Sequence, residues 1–403
     1  MKVGIIGCGA AGLAAAAFCG GKVTVLERNE KAGKKLYITG KGRCNLTNNR
    51  ALYEFFPNIV HGEKFMISSL TAFPPQALME FMGDNGLRLK TERGGRVFPE
   101  SDKSSDVIKT LVRAAENNGA EILTDTRVLG AEKRDEKFVV RTTGGEFTFD
   151  RLIVATGGMG YPSTGSTGDG YEIARSFGHT IIPPVPALCP LIVKEDVKPL
   201  EGLSLKNVRA TVKAGGKEYS EFGEMLFTAD GVSGPIILTL SSMVNRANVK
   251  GARLTVDFKP ALSPETLDDR LTSDFGEMRN KDLANILTSL LPKAVIPYVL
   301  AESGVPAHVK GNSVTREQRY ALGYCVKNLA FTLAGIASID KAIITSGGVD
   351  LKEINPSTME SKLVKGLYFA GEVLDVDALT GGYNLQCAFA MGRSAGIAAG
   401  REK

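Results

Sequence analysis

Apolar residues in the N-terminal part of the chain come as short continuous blocks separated by glycines. Residues 2–6 predict a buried strand, the alanine-rich run after Gly12 a helix reaching about Cys19, and residues 23–26 a second strand that ends at Glu27. Past a polar helical region, residues 121–124 form another such block. The period then changes: apolar and polar positions alternate through three runs with a charged turn near residue 135 and a Gly144-Gly145 turn, which predicts a half-buried meander. A buried strand over 152–155 stops at Thr156-Gly157-Gly158. From about residue 188 to 260 short β-rich runs alternate with glycine turns, and residues 263–328 turn helical, opened by Ser263 as N-cap with Pro264 at the first helical position. Strand patterns return in "AFTLAGI", "KAIITSGGV" and "LYFA", and a last helix starts at Tyr383.

At 403 residues the chain exceeds the length at which one hydrophobic core keeps growing, so two or three domains are expected. The apolar and charged fractions, 43% and 23%, are those of a globular protein that folds in water. The formal charge of +5 is spread along the chain, which suits an anionic cofactor better than a nucleic-acid duplex. Six cysteines are scattered with no C-x-x-C pair, which predicts free thiols in a reducing cytoplasm and neither a disulfide framework nor a zinc site. Three histidines leave no material for a histidine-rich metal centre, and no apolar run is long enough for a bilayer. The glycines at 4, 7, 9 and 12 separate the N-terminus from a signal peptide.

Those glycines have their own chemistry. G7-C-G9-A-A-G12 between a strand and a helix is a dinucleotide fingerprint: Gly7 permits the tight turn, Gly9 lets a pyrophosphate approach, and Gly12 packs helix on strand. Ala10 and Ala11 then offer helix N-terminal N–H groups to the phosphates. Glu27, twenty positions after Gly7, is placed for ribose hydroxyls, and Arg28 beside it can lie over an adenine. A meander followed by A-T-G-G is the habit of flavoproteins built like glutathione reductase, which adds Val128, Thr156, Gly157 and Gly158 to the cofactor set. Near the C-terminus, Gly371-Glu372 and Asp375 are positioned for ribitol hydroxyls, and Gly381-Gly382 opens the helix at Tyr383 and Asn384 toward the flavin N1 and C2 carbonyl, where charge gathers on reduction. The loop "KKLYITGKGRCNLTNN" supplies Lys34, Lys35, Gly40, Gly42, Arg43, Cys44 and Asn45 as a wrap around diphosphate and ring. Cys44 has no cysteine partner nearby and reads as a small residue fitted at the ring. Tyr161 and Tyr383 are the candidates for proton transfer, with stacking or packing as the competing role of each. No strong general acid or base stands out.

The blocks "GKKLYITGKGRCNLTNN", "GGRVFPESDKSSDV", "ATGGMGYPSTGSTGDGY", "EMLFTADGVSGPIIL" and "YFAGEVLDVDALTGGYNLQCAFAMG" together resemble the BaiN-like NAD(P)/FAD-dependent oxidoreductases, also described as aminoacetone-oxidase-family FAD-binding enzymes. The resemblance covers nearly the whole chain; Ser104 after Lys103 departs from the alanine expected there. It implies non-covalent FAD held by Gly7, Gly9, Gly12, Glu27, Arg28, Gly42, Arg43, Cys44, Asn45, Gly157 and Glu372, with Asp375 and Tyr383 nearby. The fold it implies is α/β, a glutathione-reductase-like Rossmann domain over 1–189 and 343–403, interrupted by a β-rich, barrel-like insertion over 190–262 and 326–342 and a small helical domain over 263–325. The expected activity is reduction of the flavin by NAD(P)H and hydride transfer to a small organic acceptor. No second fingerprint follows a strand, so NAD(P)H would dock at the flavin itself. An amine oxidase using oxygen is the alternative, and an RNA-modifying flavoprotein is the alternative of another class. Neither a nucleic-acid nor a membrane partner is expected.

Overall fold

The structure, a computed structural model, describes residues 1–401. The chain divides into two compact units, Met1–Ala187 with Ser338–Lys403, and Leu188–Ala337.

The first unit is built on parallel strands. β1 (Lys2–Ile6) is buried from its second residue on, and the helix α1 (Ala10–Phe18) returns the chain to β2 (Lys22–Leu26) in the βαβ sense. Thr47–Asn48 and β3 (Ile59–His61) are short strands of the wrap region that leaves β2. The amphipathic α2 (Ser104–Asn117) then leads into the edge strand β4 (Ala120–Leu123). The meander follows as β5 (Val128–Arg134), β6 (Lys137–Thr142) and β7 (Gly145–Phe149), turning at Asp135 and Gly145. It lies close to the sheet: a Cβ on Gly4 of β1 would sit 2.5 Å from the Phe149 ring. β8 (Arg151–Val154) enters the sheet beside β1, and after the loop through Gly168 the chain forms α3 (Asp169–Ser176) and β9 (Ile181–Ala187).

In the second unit β10 (Leu191–Val193), β11 (Ser204–Ala214), β12 (Lys217–Thr228), β13 (Gly231–Ser233), β14 (Arg253–Asp257) and β15 (Leu329–Ile336) close a barrel in the order β10-β13-β12-β11-β14-β15. The alternating burial of β11 is the period of a strand with one wet face. One element departs from the β-rich reading of 188–260: Pro235–Val244, which we label α4, is a helix. Its largely apolar ten-residue run, broken by Thr239, Ser241 and Ser242, is ambiguous by period alone. The outcome is set at its start, where Gly234 (φ 95°) breaks the strand and Pro235 pre-sets the first turn. Four further helical segments include Pro264–Glu277, where Ser263 Oγ accepts from the Thr266 N–H, and Arg316–Asn328, where Thr315 and Gln318 form a capping box. Barrel and helices share one continuous buried cluster, from Leu191 through Phe275 and Leu322 to Phe331.

Back in the first unit, Ile344–Val349 (β16) pairs antiparallel with β9, and Leu367–Phe369 (β17) completes a five-stranded parallel sheet in the order β17-β8-β1-β2-β4. Asp377–Ala378 (β18) pairs with β3, and the long α5 (Tyr383–Gly400) ends the described chain. α5 packs on α1 almost backbone to backbone. A Cβ at Gly392 would lie 2.2 Å from the Ala11 carbonyl oxygen, and one at Gly396 2.3 Å from that of Ala15. The alanine run of α1 is the matching surface.

This contact predicts an outsized cost for a small change. Gly396→Val should destabilise the first unit by about 1–3 kcal/mol or more through overpacking, read as a lower denaturant midpoint. An unchanged midpoint would show that the two helices separate freely.

Candidate cofactor and active site

Every strand of the parallel sheet that feeds the site ends at the same edge, where ligands of open α/β sheets lie. β1 ends in the fingerprint turn, β2 in Glu27, β8 in Ala155-Thr156, and β17 in Ala370-Gly371.

The turn is held by close backbone contacts. Gly7 has φ 99°, and a Cβ there would meet the Ala155 carbonyl oxygen at 2.5 Å; a Cβ on Gly12 would sit 1.9 Å from the Gly7 oxygen. Gly9 differs. A Cβ placed on it meets nothing within 4 Å, so its glycine is not required by the protein's own packing. Gly9 caps α1 with no side-chain hydrogen bond, which leaves the N–H groups of the first turn for a ligand. Glu27, buried, organises this turn: Oε2 accepts from the Cys8 N–H (2.8 Å), and Oε1 from the N–H (2.8 Å) and side-chain amide (2.6 Å) of Asn29. Arg28 Nη1 donates to Thr167 Oγ1 (2.6 Å) and meets Asp169 (3.2 Å). Val128 is buried at the start of β5.

Three cations of the wrap, Lys34, Lys35 and Arg43, are paired within the protein. Lys34 meets Glu30 at 3.2 Å, Lys35 meets Glu372 at 2.7 Å, and Arg43 pairs with Asp102 and Glu92 over the Phe98 ring. Gly40, Lys41, Gly42 and Cys44 are all left-handed, so the loop coils tightly with two non-glycine residues in a conformation that usually costs of order 1–3 kcal/mol each. The Cys44 thiol is fully buried, and burial pushes its pKa up to about 12, so it is a neutral thiol and no nucleophile. Asn45 Oδ1 is buried with no hydrogen-bond partner among the described residues.

The opposite wall is a set of carboxylates fixed by β16. Glu372 Oε1 accepts from the Thr345 N–H (2.8 Å), and Asp375 Oδ1 from the Gly347 N–H (3.0 Å). Thr345 Oγ1 in turn accepts from the N–H groups of Met159 (2.7 Å) and Gly160 (3.1 Å), which ties the Thr156-Gly157-Gly158 turn to the same strand. Gly158 is needed there, since its Cβ would fall 2.5 Å from Thr345 Oγ1. Gly371, at φ 83°, lies against Ala11. Gly382 caps α5, and a Cβ on it would meet the Thr47 carbonyl oxygen at 2.3 Å, so a side chain there displaces the wrap itself. Asn384 holds Ala378 and Leu379 with both ends of its amide. Tyr383 is buried edge-on against Phe55, ring centroids 4.7 Å apart, and burial raises its pKa. Tyr161, half-buried at φ 54°, starts a 3-10 turn.

Two features were not read from the sequence. Tyr171 on α3 is buried, its hydroxyl has no partner among the described residues, and burial with the charges of Glu372 and Asp375 drives its pKa up, so it stays a donor. His61 Nδ1 lies 2.7 Å from Asp377 Oδ1, a pair separated by more than three hundred residues. The scarcity of histidine was the one available signal.

These residues fit an FAD. An open glycine, an uncapped helix, a buried acceptor on Asn45 and a buried donor on Tyr171 are what a large polar ligand would satisfy, and no bulky side chain stands at Gly9 to exclude it. Gly9→Val should therefore fold with a near-wild-type melting point measured without flavin, yet bind FAD at least about 100-fold more weakly by fluorescence titration, since only the ligand meets the new side chain. Full flavin occupancy in this variant would reduce the fingerprint to a packing turn.

The likeness to known proteins runs the length of the chain. It is 34% identical over 408 residues to the 3-dehydro-bile acid delta(4,6)-reductase of Clostridium scindens, covering 99% of this chain and 98% of that one. It is 31% identical over 406 residues to the ribosomal RNA dihydrouridine synthase of Haemophilus influenzae, covering 99% and 98%. Among solved structures, the 3-ketosteroid delta1-dehydrogenase of Sterolibacterium denitrificans shares the fold at a TM-score of 0.52 and 14% identity, over 99% of this chain and 100% of that one. With the profile described as HI0933-like protein Rossmann domain matching residues 1–398, the chain belongs to that family of FAD-dependent oxidoreductases.

Proposed function

We propose that the protein is a reductase of carbon–carbon double bonds conjugated to a carbonyl, driven by NAD(P)H through FAD. The observation that carries this reading is the chemistry shared by the two full-length relatives: reducing a 3-oxo-4,6-diene and making dihydrouridine from uridine both add hydride and proton across a C=C bond next to a C=O. FAD supplies the hydride when bound and reduced. The chain's own residues bind and orient: the α1 N-terminus and Gly9 for diphosphate, Glu27 for ribose, Glu372 and Asp375 for the ribityl hydroxyls, with Lys35 balancing the Glu372 charge. The chain carries one nucleotide fingerprint, so NAD(P)H and the acceptor use the flavin face in turn. The six cysteines, all free and buried, suit a reducing cytoplasm. A second reading has a specific observation behind it: the 31% identity to an enzyme of ribosomal RNA makes a uridine in RNA an acceptor to be tested beside small enones.

Anaerobic spectroscopy of the holoprotein tests both. NADH or NADPH should bleach the flavin, and 3-oxochola-4,6-dienoate or ribosomal RNA lacking dihydrouridine should restore its colour, with dihydrouridine scored by mass spectrometry. Bleaching by an amine such as aminoacetone and by neither nicotinamide would replace this reading with the oxidase one.

A further inference from the structure

We propose that His61 is the proton donor to the conjugated carbonyl substrate, held for that task by Asp377 and Ser346; the inference rests on the reductase reading above. The ring is anchored on one side only. Nδ1 lies 2.7 Å from Asp377 Oδ1, and Ser346 Oγ donates to the same oxygen at 2.8 Å. The Asp377 side chain is fully buried while that of His61 is 25% exposed, so the carboxylate faces inward and the imidazole reaches outward. With Nδ1–H donating to the carboxylate, the free position for proton transfer is Nε2, which has no protein hydrogen bond among the described residues.

The cluster belongs to the wall that carries the candidate flavin contacts. Three successive residues of β16 hold three carboxylates between β17 and the start of β18: the Thr345 N–H bonds Glu372, the Ser346 hydroxyl bonds Asp377, and the Gly347 N–H bonds Asp375. The end of β3 is pressed against that segment, since a Cβ on Gly62, the residue after it, would lie 2.8 Å from Val376 and 3.3 Å from the Asp375 carbonyl oxygen. The ring is thus fixed relative to Glu372 and Asp375. His179 offers a contrast: it is buried with one nitrogen on Glu353 and the other on Ser361, so it has no nitrogen left to donate elsewhere.

The step balances as follows. The β-carbon of the substrate gains a hydride from the reduced flavin, which is thereby oxidised by two electrons. The π pair of the C=C bond shifts toward the carbonyl as an enolate. The enolate takes the proton from Nε2 of the doubly protonated imidazole, which is left neutral with Nδ1–H still on Asp377, and solvent returns the proton. NAD(P)H restores the reduced flavin.

Holoprotein carrying His61→Gln, His61→Gly or neither is reduced anaerobically and mixed with 3-oxochola-4,6-dienoate in a stopped-flow instrument. Reoxidation should slow at least about 100-fold in His61→Gln, the usual worth of a general acid. Flavin reduction by NAD(P)H and FAD affinity should stay within about threefold, and added imidazole should restore His61→Gly, which a structural role would not allow. An independent readout uses oxidised holoprotein and p-chlorophenol: a phenolate stacked on flavin and stabilised by His61 gives a long-wavelength absorbance that His61→Gln should lose. If the dienone fails to reoxidise even the wild type, the reductase reading fails for this substrate class, and the phenolate absorbance decides His61 alone. Wild type and His61→Gln behaving alike in both experiments would overturn the inference.

Discussion

The close backbone seat of α1 is the constraint on which the rest of the first unit depends. Helix axes normally stay 8–10 Å apart because side chains intervene. Here Gly392 and Gly396 of α5 rest on the carbonyls of Ala11 and Ala15, Gly371 rests on the Ala11 methyl, and Gly12 rests on the Gly7 oxygen. No larger side chain fits at these points, so the composition of both helices is dictated by contact with one another. The consequence is functional. With α1 held from both flanks, the N–H groups of its first turn are fixed in space, and a charged diphosphate can be bound by dipoles that need no reorganisation.

The charged side chains have a division of labour that follows from this seat. Glu27, Glu372 and Asp375 each accept from backbone N–H groups, so they shape the cradle before any ligand arrives. Two of the wrap's basic residues are spent on carboxylates: Arg43 on Glu92 and Asp102, Lys35 on Glu372. Recognition of the anion therefore falls first to backbone groups, and these paired charges hold two loops together. The same logic at β16 yields a buried carboxylate, Asp377, that faces an imidazole.

Much of this could be read in the sequence because the signals were local. The fingerprint glycines, the meander turns, the Ser263-Pro264 helix start, Gly371 and the Gly381-Gly382 pair all act within a few residues of themselves. The other features are products of long-range contact. The alanine run of α1 reads as helix propensity until α5 is seen lying on it. Gly382 reads as an opening toward a ligand, yet its first constraint is the Thr47 carbonyl. Lys35 and Arg43 of the wrap read as phosphate ligands because their acidic partners lie dozens to hundreds of residues away. α4 escaped because its short, mostly apolar segment carries no decisive period. His61 escaped because its meaning comes from β3 pairing with β18.

The seat at α1 is tested most directly by competition binding to the apoprotein. A site organised around a diphosphate at a helix N-terminus should let ADP displace FAD, while FMN, which lacks the adenosine diphosphate half, should bind far more weakly than FAD. FMN binding as tightly as FAD, with ADP unable to compete, would contradict it.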